Sequence, residues 1–404
     1  MSRVMKDSGI EWVGKIPEDW DMSRLSWIVE EVNEKNKPIK TDKVLSLMKD
    51  IGVIPYDEKG DIGNKSKENL EDYKIAYKNT IVINSMNVII GSVGLSKYFG
   101  AVSPVYYVYK TLSGKANIEY LNYIFQTKEF QQELKKYGKG IMEIRLRITS
   151  SDIKKNFVPF PNITIQSKIA SFLDEKCEII DEQIENNKKS IELLEEYKKS
   201  LTKKTIATGK LIRLKYVFNK FGSGTTPNSN NNKYYYDGIY NWIQSGDING
   251  SFIDYTTKKI TEFAIQNCKS LNYYFSPFIV IAMYGASVGN FSISNINAYT
   301  NQACCVMTHT KENMKFLFYS IGTTKEKIMS FALGGTQPNI NRNVLRNLKI
   351  QVPPIEEQKE IVDYLDDKCY KIDKVIEYRK QIIEKLEEYK KSLIYEAVTG
   401  KIEV

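Results

Sequence analysis

The segment running from Gln166 to Leu201, QSKIASFLDEKCEIIDEQIENNKKSIELLEEYKKSL, is written twice in this chain. It returns from Gln358 to Leu393 as QKEIVDYLDDKCYKIDKVIEYRKQIIEKLEEYKKSL, with more than half of the positions identical at one constant offset. Self-similarity at this level constrains the fold before any other feature does. Both copies carry heptads. In the first, Leu173, Ile180, Asn187, Leu194 and Leu201 fall seven apart, with Ile184 and Ile191 between them. In the second, Leu365, Ile372, Arg379, Leu386 and Leu393 do the same, with Ile376 and Ile383 between. Such spacing predicts two long helices, each with an apolar seam on one side and Glu and Lys on the rest. The natural partner of each seam is the other copy.

Local signals mark the ends of both helices. Pro159 and Pro161 precede the first copy, and Pro353 and Pro354 the second, where a missing N–H costs the backbone little. Thr208-Gly209-Lys210 and Thr399-Gly400-Lys401 follow, with glycine free to adopt the left-handed cap. A helix of about 40 residues is about 60 Å long, too long for the core of one small domain, so each is read as a spacer.

The 404 residues suffice for two or three domains with their own cores. With 27 Tyr and 16 Phe, wholesale disorder is excluded. No apolar run approaches membrane-spanning length, and MSRVMKDSGIEW lacks the apolar core of a signal peptide, so a cytoplasmic location is expected. Cys177, Cys268, Cys304, Cys305 and Cys369 form no C-x-x-C pair. Cys177 and Cys369 hold equivalent places in the repeat and read as reduced packing residues. The net charge of +9 is unevenly placed: +4 over residues 1–158, zero over 159–210, +8 over 211–352 and −3 over 353–404. The positive excess lies outside the helices, which favours a polyanion there and protein contacts on the helices.

The repeat extends beyond the helices. Arg24-Leu25-Ser26-Trp27-Ile28 matches Arg213-Leu214-Lys215-Tyr216-Val217. In the first unit TIVINSMNVIIGSV (80–93) and SPVYYVY (103–109) read as strands, as do FIVIAMYGASV (278–288) and QACCVM (302–307) in the second. Four parts follow: a globular unit over 1–158, a helical spacer over 159–210, a second globular unit over 211–352, and a second spacer over 353–404. The loops between matching strands diverge, and several have the composition of nucleic-acid contacts. GSGTTPNSNNNKYYY (222–236) includes Lys233, and Gln302 opens the QACCVM run. LGGTQPNINR (333–342) offers Thr336, Gln337, Asn339 and Arg342, and the corresponding stretch of the first unit offers Lys139, Arg145 and Arg147. Arginine forks onto guanine and Gln or Asn onto adenine, so such side chains at loop tips can read bases. Asn and Gly in loops also simply build turns, and both readings stay open from sequence.

Catalytic motifs are missing. There is no Asn/Asp-Pro-Pro-aromatic loop of an amino-methyltransferase and no G-x-x-x-x-G-K-[ST] phosphate cradle. His309 is the single histidine, which excludes a histidine-based metal centre and reads as a solvent-facing turn residue.

Several short motifs, in this order and with this duplication, resemble the specificity subunits of Type I restriction–modification enzymes. They are Gly9-Ile10-Glu11-Trp12 with Ile16-Pro17 and Trp20, Trp242-Ile243-Gln244-Ser245-Gly246-Asp247-Ile248, Gly334-Gly335-Thr336-Gln337-Pro338-Asn339-Ile340, and Pro353-Pro354 with Glu357-Gln358. The first unit departs from the pattern, with an Ile/Arg-rich loop in place of GGTQPNI and its proline pair split. The resemblance implies an α+β fold with an internal pseudo-two-fold repeat. Two target-recognition domains of mixed, mostly antiparallel β-structure with helices would be separated by two long antiparallel coiled-coil helices. It also implies a non-catalytic protein that recognises a bipartite site in double-stranded DNA. Two modification subunits would bring S-adenosylmethionine for adenine methylation, and a restriction subunit would use ATP and Mg. This chain would hold no cofactor and no metal, and would contact no membrane. Two other classes compete with that reading: a coiled-coil adaptor without DNA contact, and a self-contained methyltransferase or nuclease.

Overall fold

The structure is a computed structural model that describes residues 3–49, 51–60, 69–112, 114–138, 146–331 and 339–404. The chain forms two compact units, one of Met1–Lys188 with Lys380–Val404 and one of Lys189–Arg379. Each heptad segment lies in a single continuous helix, Ile163–Thr205 and Ile355–Val398. The compact units therefore divide each long helix between them, whereas the sequence boundaries treat the helices as separate segments.

The helix ends follow the local signals. The Asn162 carboxamide oxygen accepts the Ile165 N–H at 3.0 Å and so caps the first long helix. Beyond its C-terminus Gly209 has φ +88°, and a Cβ there would lie 2.3 Å from the Pro353 nitrogen. Glycine is required on both counts. Gly400, after the second helix, has φ +71° and would meet Pro17 at 2.5 Å.

In the first unit a four-stranded antiparallel sheet is built from β1 (Val29–Glu31), β2 (Thr80–Asn84), β3 (Val93–Ser96) and β4 (Tyr106–Thr111), in the order β1-β4-β2-β3. Strand β2, TIVIN, is buried on both faces, which is why it reads as a continuous apolar run rather than an alternating one. One side packs against helix α1 (Ile118–Gln126) and both long-helix segments of this unit. Ile81, Ile83, Tyr120, Ile124, Leu173, Ile180, Ile184, Leu393 and Ala397 share that core, with Ile383 and Leu386 half-buried against it. Val82 and Val108 face a smaller cluster with Leu45, Leu47 and Val102.

The second unit repeats the plan with β5 (Lys220–Gly222), β6 (Phe252–Ile253), β7 (Phe278–Ala282), β8 (Phe291–Ser294) and β9 (Cys304–Thr308), ordered β5-β9-β7-β8-β6. Helix α2 (Met314–Gly322) and the long-helix residues Ile361, Val362, Leu365 and Leu201 complete its core. A second sheet of four short strands stands beside it. There Trp242-Ile243 run parallel to Tyr299-Thr300, and in the main sheet Phe252-Ile253 run parallel to Ile293-Ser294, against an otherwise antiparallel pattern. Ile372 and Ile376 are buried, and Ile191 and Leu194 half-buried. Two equivalent antiparallel ribbons join strand to helix: Asp21–Arg24 with Phe157–Phe160, and Lys210–Arg213 with Lys349–Val352.

The long helices pack antiparallel. In the first unit the N-terminal half of the first meets the C-terminal half of the second, and in the second unit the halves are exchanged. Lys390 pairs with Asp181 at 2.6 Å in one, and Lys198 with Asp373 at 2.6 Å in the other. These ion pairs are exposed and worth about 0–1 kcal/mol each, so the apolar seam carries the association. The repeat also shows in buried polar anchors. The Gln166 side chain accepts the Asn117 N–H at 2.9 Å and donates to the Pro161 carbonyl at 2.8 Å. Gln358 makes the same pair with Asn313 and Pro353, both at 2.9 Å. The Tyr123 hydroxyl donates to Asp174 at 2.6 Å, and the Tyr319 hydroxyl to Asp366 at 2.8 Å.

All five cysteines are free thiols. Cys177 and Cys369 are buried on the long helices, and burial pushes both thiols up. His309 is exposed just past the end of β9, with φ +59°. Among the described residues no helix is long and apolar enough to cross a membrane, and no His, Cys, Asp and Glu cluster could hold a metal ion.

Candidate nucleic-acid interface

One edge of the second unit collects chain from five places. Beyond the C-terminal end of β7, Met283 donates its N–H to the Ala303 carbonyl at 2.7 Å. Its own carbonyl accepts the Ile340 N–H at 2.9 Å, and Tyr284 pairs with Asn339 in an antiparallel bridge. On the other side Asn301 donates to the Ile243 carbonyl at 3.0 Å and accepts the Gly224 N–H at 3.2 Å. Residues 223–226, 243–247, 283–287, 301–303 and 339–342 thus meet at one sheet edge. The approach is close: a Cβ on Gly224 would sit 1.6 Å from the Thr300 carbonyl oxygen, so only glycine fits.

The edge carries hydrogen-bonding side chains in open positions. Gln302, Asn339, Arg342 and Thr226 are exposed. The Arg342 Nη2 donates to Ser223 Oγ at 2.6 Å, and the Thr226 hydroxyl donates to the Gln302 carboxamide oxygen. Behind them Tyr274, its hydroxyl pushed up to about 12 by burial, donates to the Ser223 carbonyl at 3.0 Å and fixes this loop. The nearby acid is committed elsewhere, since the Asp247 carboxylate accepts the Gln244 N–H at 2.8 Å and the Thr257 N–H at 3.1 Å. What remains outward is a guanidinium, two carboxamides and hydroxyls, the donor and acceptor set that suits base edges and phosphates.

Of the residues singled out in the sequence, Gln302, Asn339 and Arg342 come together here. Lys233 does not join them by any contact. It is exposed on the turn Asn232–Tyr234, and its carbonyl accepts the Thr261 hydroxyl at 2.7 Å. Thr336 and Gln337, and in the first unit Lys139 and Arg145, lie outside the described residues. Arg147 is exposed, next to Ile148, whose N–H donates to the Ser85 carbonyl at 3.0 Å. That bond is the counterpart of Ile340 on Met283. At the offset relating Ile148 to Ile340, Ser150 answers to Arg342. Ser150 donates to Glu31 and shares a 2.9 Å hydrogen bond with Tyr109, while Lys74 lies 3.3 Å from the same Glu31 carboxylate. The first unit therefore has a serine bonded to a paired carboxylate where the second has an outward cation. The sequence offered Ser223 and Thr226 only as part of a polar loop and Gln244 only within a motif, and it did not single out Tyr284. The last could have been noticed as a large aromatic between a strand end and Gly285.

A family model, the Type I restriction modification DNA specificity domain, matches residues 17–196 and again residues 209–388. The MjaX specificity subunit of Methanocaldococcus jannaschii, a putative type I restriction enzyme component, is 26% identical over 97% of this chain and 96% of its own length. The MjaVIII specificity subunit of the same organism is 25% identical, covering 96% and 94%. The EcoR124I/EcoR124II specificity subunit of Escherichia coli is 28% identical over 36% of this chain and 38% of its own. Among solved structures, a chain described under complex assembly and conformational transition of the type I R-M system superposes with a TM-score of 0.77. It is 14% identical, covering 96% of this chain and 99% of that one. The HsdS subunit from Thermoanaerobacter tengcongensis superposes at 0.57 with 15% identity, covering 96% and 98%. At these identities the superpositions speak for the fold.

Proposed function

Because the chain belongs to the family of Type I restriction modification DNA specificity domains and carries that domain twice, we propose that each unit turns its polar edge to DNA and reads one half of a bipartite target. The chain is a specificity subunit: it recognises a DNA target with two domains and leaves catalysis to partner subunits. The observation that carries the division of labour is the duplication itself, since each family match spans one reading edge and runs into its own copy of the long helix. The family assignment gives no support to an adaptor without DNA contact or to a self-contained methyltransferase or nuclease.

Within the complex, the long helices dock two modification subunits. Their outer faces are rich in Glu and Lys and carry no net positive charge, unlike the segment over residues 211–352. S-adenosylmethionine for adenine methylation belongs on the modification subunits, ATP and Mg on a restriction subunit, and the assembly works in the cytoplasm. The antiparallel helices set the unread gap between the two half-sequences. Salt-dependent retention on duplex DNA tests the DNA-facing edge. Neutralising phosphates releases counterions, so affinity should fall steeply and log-linearly with salt, and replacing Arg342 should weaken binding. Binding that ignores both salt and Arg342 would refute the assignment of this edge.

A further inference from the structure

The two reading edges differ in sequence, yet both place a large apolar side chain at one equivalent open position. In the second unit it is Tyr284, 47% exposed, and in the first Met86, 39% exposed. Their equivalence rests on backbone bonds. Asn84 donates to Ser92 at 3.0 Å as Ala282 does to Asn290 at 2.8 Å, and Ser85 accepts from Ile148 as Met283 does from Ile340. Met86 and Tyr284 are each the residue that follows. Both are held from behind: the Met86 N–H by the Asn84 carboxamide oxygen at 3.0 Å, and Tyr284 by its bridge to Asn339. Both are less than half exposed, so covering either recovers roughly 1 kcal/mol, under half of the value for full burial, and their recurrence at equivalent positions points to a covered bound state.

We infer that Met86 and Tyr284 are specificity residues, each packing on the C5-methyl group of a thymine in the half-site its unit reads. The inference rests on the proposed orientation of these edges toward DNA. Among the groups a major groove offers, the thymine methyl is the apolar one, and it lies beside the acceptors and donors that Gln, Asn and Arg recognise. Tyr284 stands among such residues, with Asn339 as its backbone partner and Arg342 three positions further on. Met86 stands beside the Ile148 connection that presents Arg147.

The test uses the chain assembled with its modification subunits, on duplexes of the target mapped by methylation, with each thymine replaced singly by deoxyuridine. Only a methyl group is lost at each step. One position per half-site should weaken binding about four-fold, the worth of one buried methyl. Tyr284→Ala should abolish that sensitivity in one half and Met86→Ala in the other, while Tyr284→Phe and Met86→Leu retain it. Insensitivity to deoxyuridine at every position, or a half-site without thymine, overturns the inference and needs no variant. If Arg342→Ala and Gln302→Ala still weaken binding in that case, the DNA-facing edge stands. If they too are neutral, the edge assignment itself falls.

Discussion

Replacing Gln166 by leucine keeps the volume of a fully buried side chain and removes its hydrogen bonds. Two backbone groups then lose their partners, the Asn117 N–H at 2.9 Å and the Pro161 carbonyl at 2.8 Å. An unpaired buried group costs about 1–3 kcal/mol, and the added apolar surface offsets part of this, so the first unit should lose about 2–4 kcal/mol. Gln358→Leu breaks the matching pair in the second unit and also a 2.6 Å bond to Glu312, and should cost at least as much. Hydrogen exchange read by mass spectrometry separates the two. Protection of slow amides in residues 80–160 should fall about 30- to 900-fold in Gln166→Leu, at about 1.36 kcal/mol per tenfold, with peptides from 278–352 little changed. Gln358→Leu should show the reverse. Loss of less than about threefold in both would mean these glutamines do not anchor strand to helix.

Cys304 and Cys305 are buried in the second unit, and burial pushes both thiols up to about 12. At pH 8 a thiol reagent should label Cys268 in the folded chain while both remain silent. Because their ordinary value is near 8.5, the stability they contribute is complete below that pH and is lost as pH rises toward 12. A urea midpoint that does not fall over that alkaline range in step with their exposure would refute this. Deleting one heptad from each long helix, Glu185 to Ile191 and Glu377 to Ile383, keeps both seams in register and shortens each helix by about 10 Å. Methylation mapping should then find the same half-sequences with a gap shorter by about three base pairs, bound more weakly because the half-sites rotate about the duplex. An unchanged gap would show that the helices are not the ruler. Lys390→Ala should cost no more than about 1 kcal/mol by urea unfolding, since its pair with Asp181 is solvent-screened.

Periodic features were legible in the sequence. Heptads and flanking Pro and Gly marked both long helices, and the runs 80–93, 278–288 and 302–307 read as strands were strands in part: β2, β7 and β9 take 80–84, 278–282 and 304–308, while Val88–Ile90 and Gly285–Ser287 are short 3-10 turns. The Arg24 and Arg213 stretches proved to be the ends of equivalent ribbons. The reading edge was legible only as a set of residue types. Arg342 and Ser223 are 119 residues apart, and Thr226 and Gln302 are 76 apart, so their meeting depends on sheet pairing that no local pattern encodes. The parallel pairing of Trp242 with Tyr299 is of the same kind. Composition likewise could not separate Lys233, held near Thr261, from Gln302 at the edge. Nor could it foresee that Ser150, bonded to Glu31, occupies in the first unit the place of Arg342 in the second.

Methylation mapping in cells that express this chain with its modification subunits tests the central claim most directly, with Arg342→Ala and Gln302→Ala as companions. The account predicts a single bipartite motif of modified adenines that appears only when this chain is present. In the variants one half-sequence should be relaxed at one or two positions, with the other half and the gap unchanged, at a cost of about 1–3 kcal/mol per lost base contact. A methylation pattern that forms without the chain, or a motif indifferent to both substitutions, would contradict it.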